Sequence, residues 1–326
     1  MLQLLKASTL SALIAMSQIS IAAETKKPEG AGKQETFTVG ITQIVEHPSL
    51  DEVRKGALDH LEKNGFKGKL EVEYLNAQGN MVTNSQIAKK LLGKRPDLIF
   101  AIGTPAAQAV VNKNRHTPVV FSPVSDPVGA RLAKTWEKPG GIATGTSDKS
   151  PVLKQIQLIK ELHPKTKKVA ILYNPGESNS TSIVAQFKEA CKQLDLIAEE
   201  GPVQNTAMVF TTASSVKADA IYVPTDNTVV SAIEAVIKAG VASQTPVFTA
   251  ESESVAKGAL ASLAVNYYRL GEETGDMIAN ILNKKAKPSE MPVRFQKEFE
   301  LHINPANAEK MGVTLSGDIL KKAVVH

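Results

Sequence analysis

At 326 residues, with 42% hydrophobic and 22% charged content, the chain has the make-up of an ordinary globular protein but exceeds the size of one usual core, so two domains are expected. Its single cysteine excludes an internal disulfide framework. The net charge of +5 is scattered as lysine pairs with no RNP, zinc-finger or helix-turn-helix signature, so no nucleic-acid partner is expected.

The N-terminus carries Lys6, an apolar run from Ala7 to Met16, and small residues at Ser20 and Ala22. This pattern predicts a secretory signal peptide over residues 1–22, with no cysteine after it for lipidation. Residues 23–36 read as a flexible leader, and no later run approaches the length of a membrane span.

From Phe37 onward, strand and helix signals alternate. Strands are predicted at Thr38–Val45, Leu70–Leu75, Leu98–Ile102 and Val119–Ser122. Ser49 with Glu52 forms a capping box for the first helix, and a second helix covers Val82–Leu92. Thr104 and Pro105 supply the N-cap and first turn of a third, ending near Asn112. The segment Pro139–Asp148, with three glycines, reads as a strand crossing between domains.

The alternation then restarts with a helix over Pro151–Leu162. Strands are predicted at Lys168–Tyr173, Leu196–Glu199, Ala220–Val223 and Val247–Thr249, with helices at Ser180–Leu194, Thr206–Ala213 and Thr228–Ala239. Cys191 shares a helical face with Val184, Phe187 and Leu194, the setting of a buried small hydrophobe rather than a nucleophile. Ala259–Val265 is able to cross back, a helix follows over Tyr267–Leu282, Phe295–Ile303 is a last strand, and Asn304-Pro305 opens a terminal helix. The fold class is α/β, two Rossmann-like lobes joined by a multi-strand hinge. Residues 37–142 plus 266–290 are assigned to one lobe and 143–265 plus 291–326 to the other.

Strand ends carry the chemistry. In open α/β sheets ligands bind beyond the carboxyl ends of the strands, and here those ends present Thr104, Ser125-Asp126 and Thr225-Asp226-Asn227. Hydroxyls and the first N–H groups of a helix suit a carboxylate, and an acid opposite suits an ammonium. Asp226 is the first choice for that acid, with Asp126 and Glu251 behind it, although each equally fits a helix N-cap. His47 lies in the loop after the first strand, able to line the cleft or merely to shape the loop. Tyr267 and Tyr268 open a helix beyond the crossing, one placed to cover a ligand ring and the other to pack in the core. Asn174 and the stretch from Glu177 to Ser180 follow a strand and face the same cleft. No G-x-S-x-G, H-E-x-x-H, CxxC or strand-following G-x-G-x-x-G occurs, and the six histidines lack metal-ligand spacing, so no catalysis, metal or cofactor is expected.

Several stretches together resemble a known family. Gly40–Asp51, Thr104–Ala109, Ser125–Ala130, Gly145–Asp148, Tyr173–Ser180, Pro224–Val229 and Asn266–Gly271 resemble substrate-binding proteins of ABC importers, the TrpX-like group of the type I periplasmic-binding fold. The resemblance spans roughly Phe37 to Leu320. It implies a receptor for an aromatic amino acid (tryptophan, tyrosine or phenylalanine) that closes about a hinge and serves a permease in the inner membrane. It also implies a free periplasmic protein, expected as a monomer. Gln43, His47, Thr104, Ala106, Ser125, Asp126, Thr146, Asn174, Asp226 and Asn227 fall on motif positions and are carried over as ligand-site candidates, beside Glu251 and Tyr267. Alternatives stay open: a sugar or nucleoside ligand, an enzyme using Asp126 and Asp226 as paired acids, or a sensory module.

Overall fold

A computed structural model describes residues 36–326, so the expected signal peptide and all of the expected leader except Thr36 lie outside the described residues. In chain order the first half comprises β1 (Phe37–Gln43), α1 (Pro48–Leu61), β2 (Leu70–Asn76), α2 (Met81–Gly93), β3 (Leu98–Ile102), α3 (Thr104–Val111), β4 (Val119–Phe121) and β5 (Ala143–Ser147). There follow α4 (Val152–Leu162), β6 (Lys168–Tyr173), α5 (Ser178–Gln193), β7 (Ile197–Pro202), α6 (Val209–Ser215), β8 (Ala220–Val223), α7 (Asn227–Val230), α8 (Ile233–Ser243) and β9 (Val247–Thr249). The last part holds α9 (Glu253–Ala256), β10 (Ala261–Ala264), α10 (Tyr267–Leu282), β11 (Arg294–Phe295), β12 (Glu300–Ile303), α11 (Pro305–Lys310), α12 (Gly317–Lys322) and β13 (Val324–Val325).

These strands form two sheets. One has six strands in the order β11-β5-β4-β3-β1-β2, the other seven in the order β13-β12-β10-β9-β8-β6-β7. Every described pairing is parallel except that of β10 with β12. The central strands β3 and β8 are buried at every residue, which is why they read as unbroken apolar runs rather than alternating ones. Each sheet anchors its own hydrophobic core. Cys191 is fully buried in the second, where burial pushes its thiol up to about 12.

Helices α1 and α10 close one side of the first lobe, and glycines let their backbones meet. A Cβ on Gly56 would stand 2.1 Å from the Tyr268 carbonyl oxygen, and one on Gly271 2.3 Å from that of Val53. Only glycine fits either place.

Three expectations shift. β5 pairs with β4, and β11 pairs with β5, so residues 143–147 and 294–295 belong to the first lobe's sheet rather than to the second lobe. The single strand expected over Phe295–Ile303 is two, in different sheets, because the chain changes lobe between them. The helix expected over Thr228–Ala239 breaks at Ala232 (φ −121°, ψ 30°) into α7 and α8.

The chain therefore crosses between lobes at residues 148–151, 265–266 and 296–299. Two crossings are tied together, since Gln296 accepts the Asn266 N–H (3.0 Å) and donates to its carbonyl (3.1 Å). The carboxyl ends of β1, β3 and β4 face those of β6, β8 and β9 across the resulting cleft, where residues from both sets line the same pocket.

Candidate functional site

Between the facing strand ends lies a cavity of about 20 Å³, room for a single water. The first lobe lines it with His47, Ser49 and Leu50 from the start of α1, with Gly103 and Thr104, and with Pro123 and Ser125 beyond β4. The second lobe supplies Asn179, Thr225, Asn227, Val230 and Glu251, and the hinge supplies Asp148 and Tyr267.

On the first lobe, Gly103 turns β3 into α3 at φ 91°, a left-handed conformation that favours glycine. A Cβ there would meet Ile44 at 2.7 Å and Asn227 of the opposite lobe at 3.5 Å. Gly103, not Thr104, is the N-cap, so Thr104 stands in the first turn. The first-turn N–H groups have no partner within the helix and carry its positive dipole end. His47 is buried beside them, and burial lowers it to about 4 against an opposing hydrogen bond to Asn227 and with a smaller push from Lys257, so its ring is neutral.

On the second lobe, Glu251 is 1% exposed; its Oε2 accepts Ser49 Oγ from across the cleft (3.0 Å) and the Ser254 N–H (3.0 Å). The capping box expected at Ser49 does not form: α1 has no side-chain cap, and Ser49 points to Glu251 and Glu253 instead. Asn179 donates to the Thr225 carbonyl (2.9 Å). At the hinge, Asp148 accepts Ser125 Oγ (2.9 Å) and Tyr267 Oη (3.2 Å), and burial raises its carboxyl against both donors. Ser125 also meets Thr225 of the second lobe at 3.0 Å.

Three polar atoms on this wall are buried without a hydrogen-bond partner: His47 Nδ1, Asn179 Oδ1 and Glu251 Oε1. Each such orphan costs on the order of 1–3 kcal/mol. Three of the seven such atoms among the described residues border this one small cavity.

The sequence candidates divide. His47, Thr104, Ser125, Asn227, Glu251 and Tyr267 line this cavity. Asp226 does not. Its Oδ2 accepts the Asn174 N–H (2.6 Å) and Ser180 Oγ (2.6 Å), and its Oδ1 caps α7 through the Val229 N–H (2.8 Å). It is fully buried; burial and then the neighbouring Glu177 carboxylate push it up to about 7, against those donors. Both oxygens serve the second lobe's own loops, so the ammonium role expected of Asp226 is not open to it.

Gln43 is likewise internal, donating to the Val45 carbonyl (2.8 Å) and Asp51 (2.9 Å) and accepting from Arg54. Thr146 bonds Ser122 (2.6 Å) and meets Thr274 at 2.9 Å under the sheet, and Ala106 is buried in the first core. Asp126 accepts the Gly129 N–H (2.8 Å) and Ser182 Oγ of the second lobe (2.9 Å), a tie between lobes rather than a cavity wall. Asn174 lines a second, outer cavity of about 410 Å³ with Gln78, Asn80, Met81, Gln204 and Thr206, and Asn227 touches both.

Asn179 falls within the stretch 177–180 expected to face the cleft, whereas Ser49 and Asp148 were not among the candidates. Asp148 stands at the end of the glycine-bearing crossing, a signal available in the sequence; Ser49 is indistinguishable there from an ordinary cap. Among the described residues, no group of three or more His, Cys, Asp and Glu could hold a metal ion. Nor is any helix among them long and apolar enough to cross a membrane.

A family model described as ABC transporter substrate binding protein matches residues 38–326. The chain belongs to this family. It is 36% identical to a tyrosine-binding protein of Clostridioides difficile (strain R20291) over 307 residues, 93% of this chain and 88% of that protein. The substrate-binding protein also superposes on an ABC domain from Streptococcus pneumonia in complex with L-Trp, with a TM-score of 0.86 and 35% identity over 89% of this chain and 99% of that one. Against a ligand-free, open substrate-binding protein with adhesive properties from Clostridium difficile the TM-score is 0.67 at 39% identity, again over 89% and 99% of the two chains. The lobes thus stand nearer the arrangement of the Trp complex than the open one, although identity to the two is similar.

Proposed function

We propose that this substrate-binding protein captures an aromatic L-amino acid between its lobes and delivers it to an ABC permease in the inner membrane. The three orphaned atoms carry the proposal, because they complement a zwitterion in two halves. Glu251 Oε1 and Asn179 Oδ1 are acceptors on the second lobe, suited to an ammonium. The first turn of α3, with Thr104 and the neutral His47 ring, offers donors on the first lobe to a carboxylate. The aromatic class is supported by two relatives, one named for tyrosine and one holding L-Trp.

A cavity that admits a benzene ring measures about 150 Å³, far above the 20 Å³ here. The lobes must part to admit the ligand, and contact with both then favours the closed form, a population shift driven by differential binding. No bond is made or broken, so the protein has no turnover. Release by the expected signal peptide would leave it free in the periplasm, as a monomer.

A thermal-shift screen tests this, using protein unfolded and refolded to strip carried-over ligand. Trp, Tyr or Phe should raise the melting temperature, since binding to the native state stabilises it by mass action. A rise with sugars or nucleosides alone overturns the amino-acid assignment and keeps the fold.

A further inference from the structure

More acid gathers at and beside the cavity than one ammonium needs. Ser49 Oγ stands 3.0 Å from Glu251 Oε2 and 3.0 Å from Glu253 Oε2. A hydroxyl has one proton to donate. It satisfies one carboxylate fully, and the other contact becomes a good hydrogen bond when that carboxyl carries a proton of its own and donates it to Ser49. Glu251 Oε2 already receives the Ser254 N–H (3.0 Å), so the proton still to be placed falls to Glu253.

The surroundings agree. Tyr267 and Asp148 face the pair from α10 and the hinge, bringing no positive charge. His47, on the first lobe's side, is neutral. Arg54 of α1 is engaged by Asp51 (3.1 Å) and Tyr74 (2.7 Å), and Lys257, just past the end of α9, is paired with Glu234 at 2.8 Å. Burial first, and then the charge of Glu251, push Glu253 up to about 8 against the donors Ser49 and Ser252.

Resting on the amino-acid assignment above, we propose that Glu251 and Glu253 share one proton through Ser49 when the site is empty and the lobes are closed, and that an ammonium taking this place expels the proton to solvent. Charge balances: the pair goes from one negative charge to two as the ligand brings one positive charge. The orphaned Glu251 Oε1 is the atom that meets the ammonium.

The sign of the pH effect follows. Glu253 is raised in the closed form, so closure without ligand is favoured as pH falls below about 8 and weakens as pH rises through it. Proton and ammonium compete, so lowering the pH below that point weakens ligand binding by up to about tenfold per unit, the slope for one released proton.

Calorimetry of the refolded protein with L-Trp, L-Tyr and L-Phe, at neutral pH in buffers of differing protonation heat, reads the protons released per ligand. About one is expected for the wild type, and none for Glu253→Gln, whose amide donates to Ser49 without titrating. Tight binding with no buffer dependence overturns the shared proton and leaves the amino-acid assignment standing. If none of the three ligands binds, that assignment fails, and infrared spectroscopy of the empty protein decides the pair. A neutral carboxylic-acid band present at neutral pH and lost in Glu253→Gln upholds the shared proton; no change in that band overturns it. Glu251→Gln, which equally removes the need for a shared proton, serves in the infrared experiment if Glu253→Gln does not fold.

Discussion

The two cavities of the cleft differ in opposite senses. The outer one has about 410 Å³ and the inner about 20 Å³. Yet no lining residue of the outer cavity has a buried side-chain atom without a partner among the described residues, whereas the inner one has three. When two lobes close without a ligand, the space meant for it is the space that shrinks. Its chemistry survives in the groups left unpaired. On the function proposed above, unmet hydrogen bonding is a better guide to the site than volume.

Substitutions can break that contrast. Glu251→Ala should have the largest effect on binding, about 3 kcal/mol or more, because it removes the carboxylate oxygen that meets the buried ammonium. Titration with the amino acid found in the screen would show this as a rise in Kd of over about a hundredfold. Retained affinity would move the ammonium elsewhere. Asp226→Ala should act on stability instead, costing about 1–3 kcal/mol in denaturant unfolding, since it strands the Ser180 hydroxyl and two backbone N–H groups. The affinity of the protein that remains folded should fall far less than in Glu251→Ala. Gln204→Ala, on the outer cavity, should change binding by no more than about 0.5 kcal/mol. An effect there to rival Glu251→Ala would make the outer cavity the ligand site.

Much of the architecture was legible because buried parallel strands and amphipathic helices leave distinct periodicities, and Leu98–Ile102 and Ala220–Val223 read as core strands on sight. The site was legible only by position. That a polar residue ends a strand is visible in the sequence, and Thr104, Ser125 and Asn227 do reach the cavity. Which way its oxygens turn depends on donors brought near by folding. Asp226 looked the best acid, but Asn174 and Ser180, some fifty residues away, engage it first. Ser49 looked like a cap, and its true partners lie 202 and 204 residues on. The boundary at residue 143 slipped because a glycine-bearing crossing strand pairs before it crosses.

The embrace of α1 by α10 has a consequence for synthesis. The first lobe opens the described chain, yet its core is incomplete until residues 267–282 have been translated and packed against Gly56. The nascent chain therefore cannot mature lobe by lobe in the order it is made. On the export proposed above, that delay suits a polypeptide that must thread a secretion channel before it folds, because its earliest segments stay open until α10 has been made.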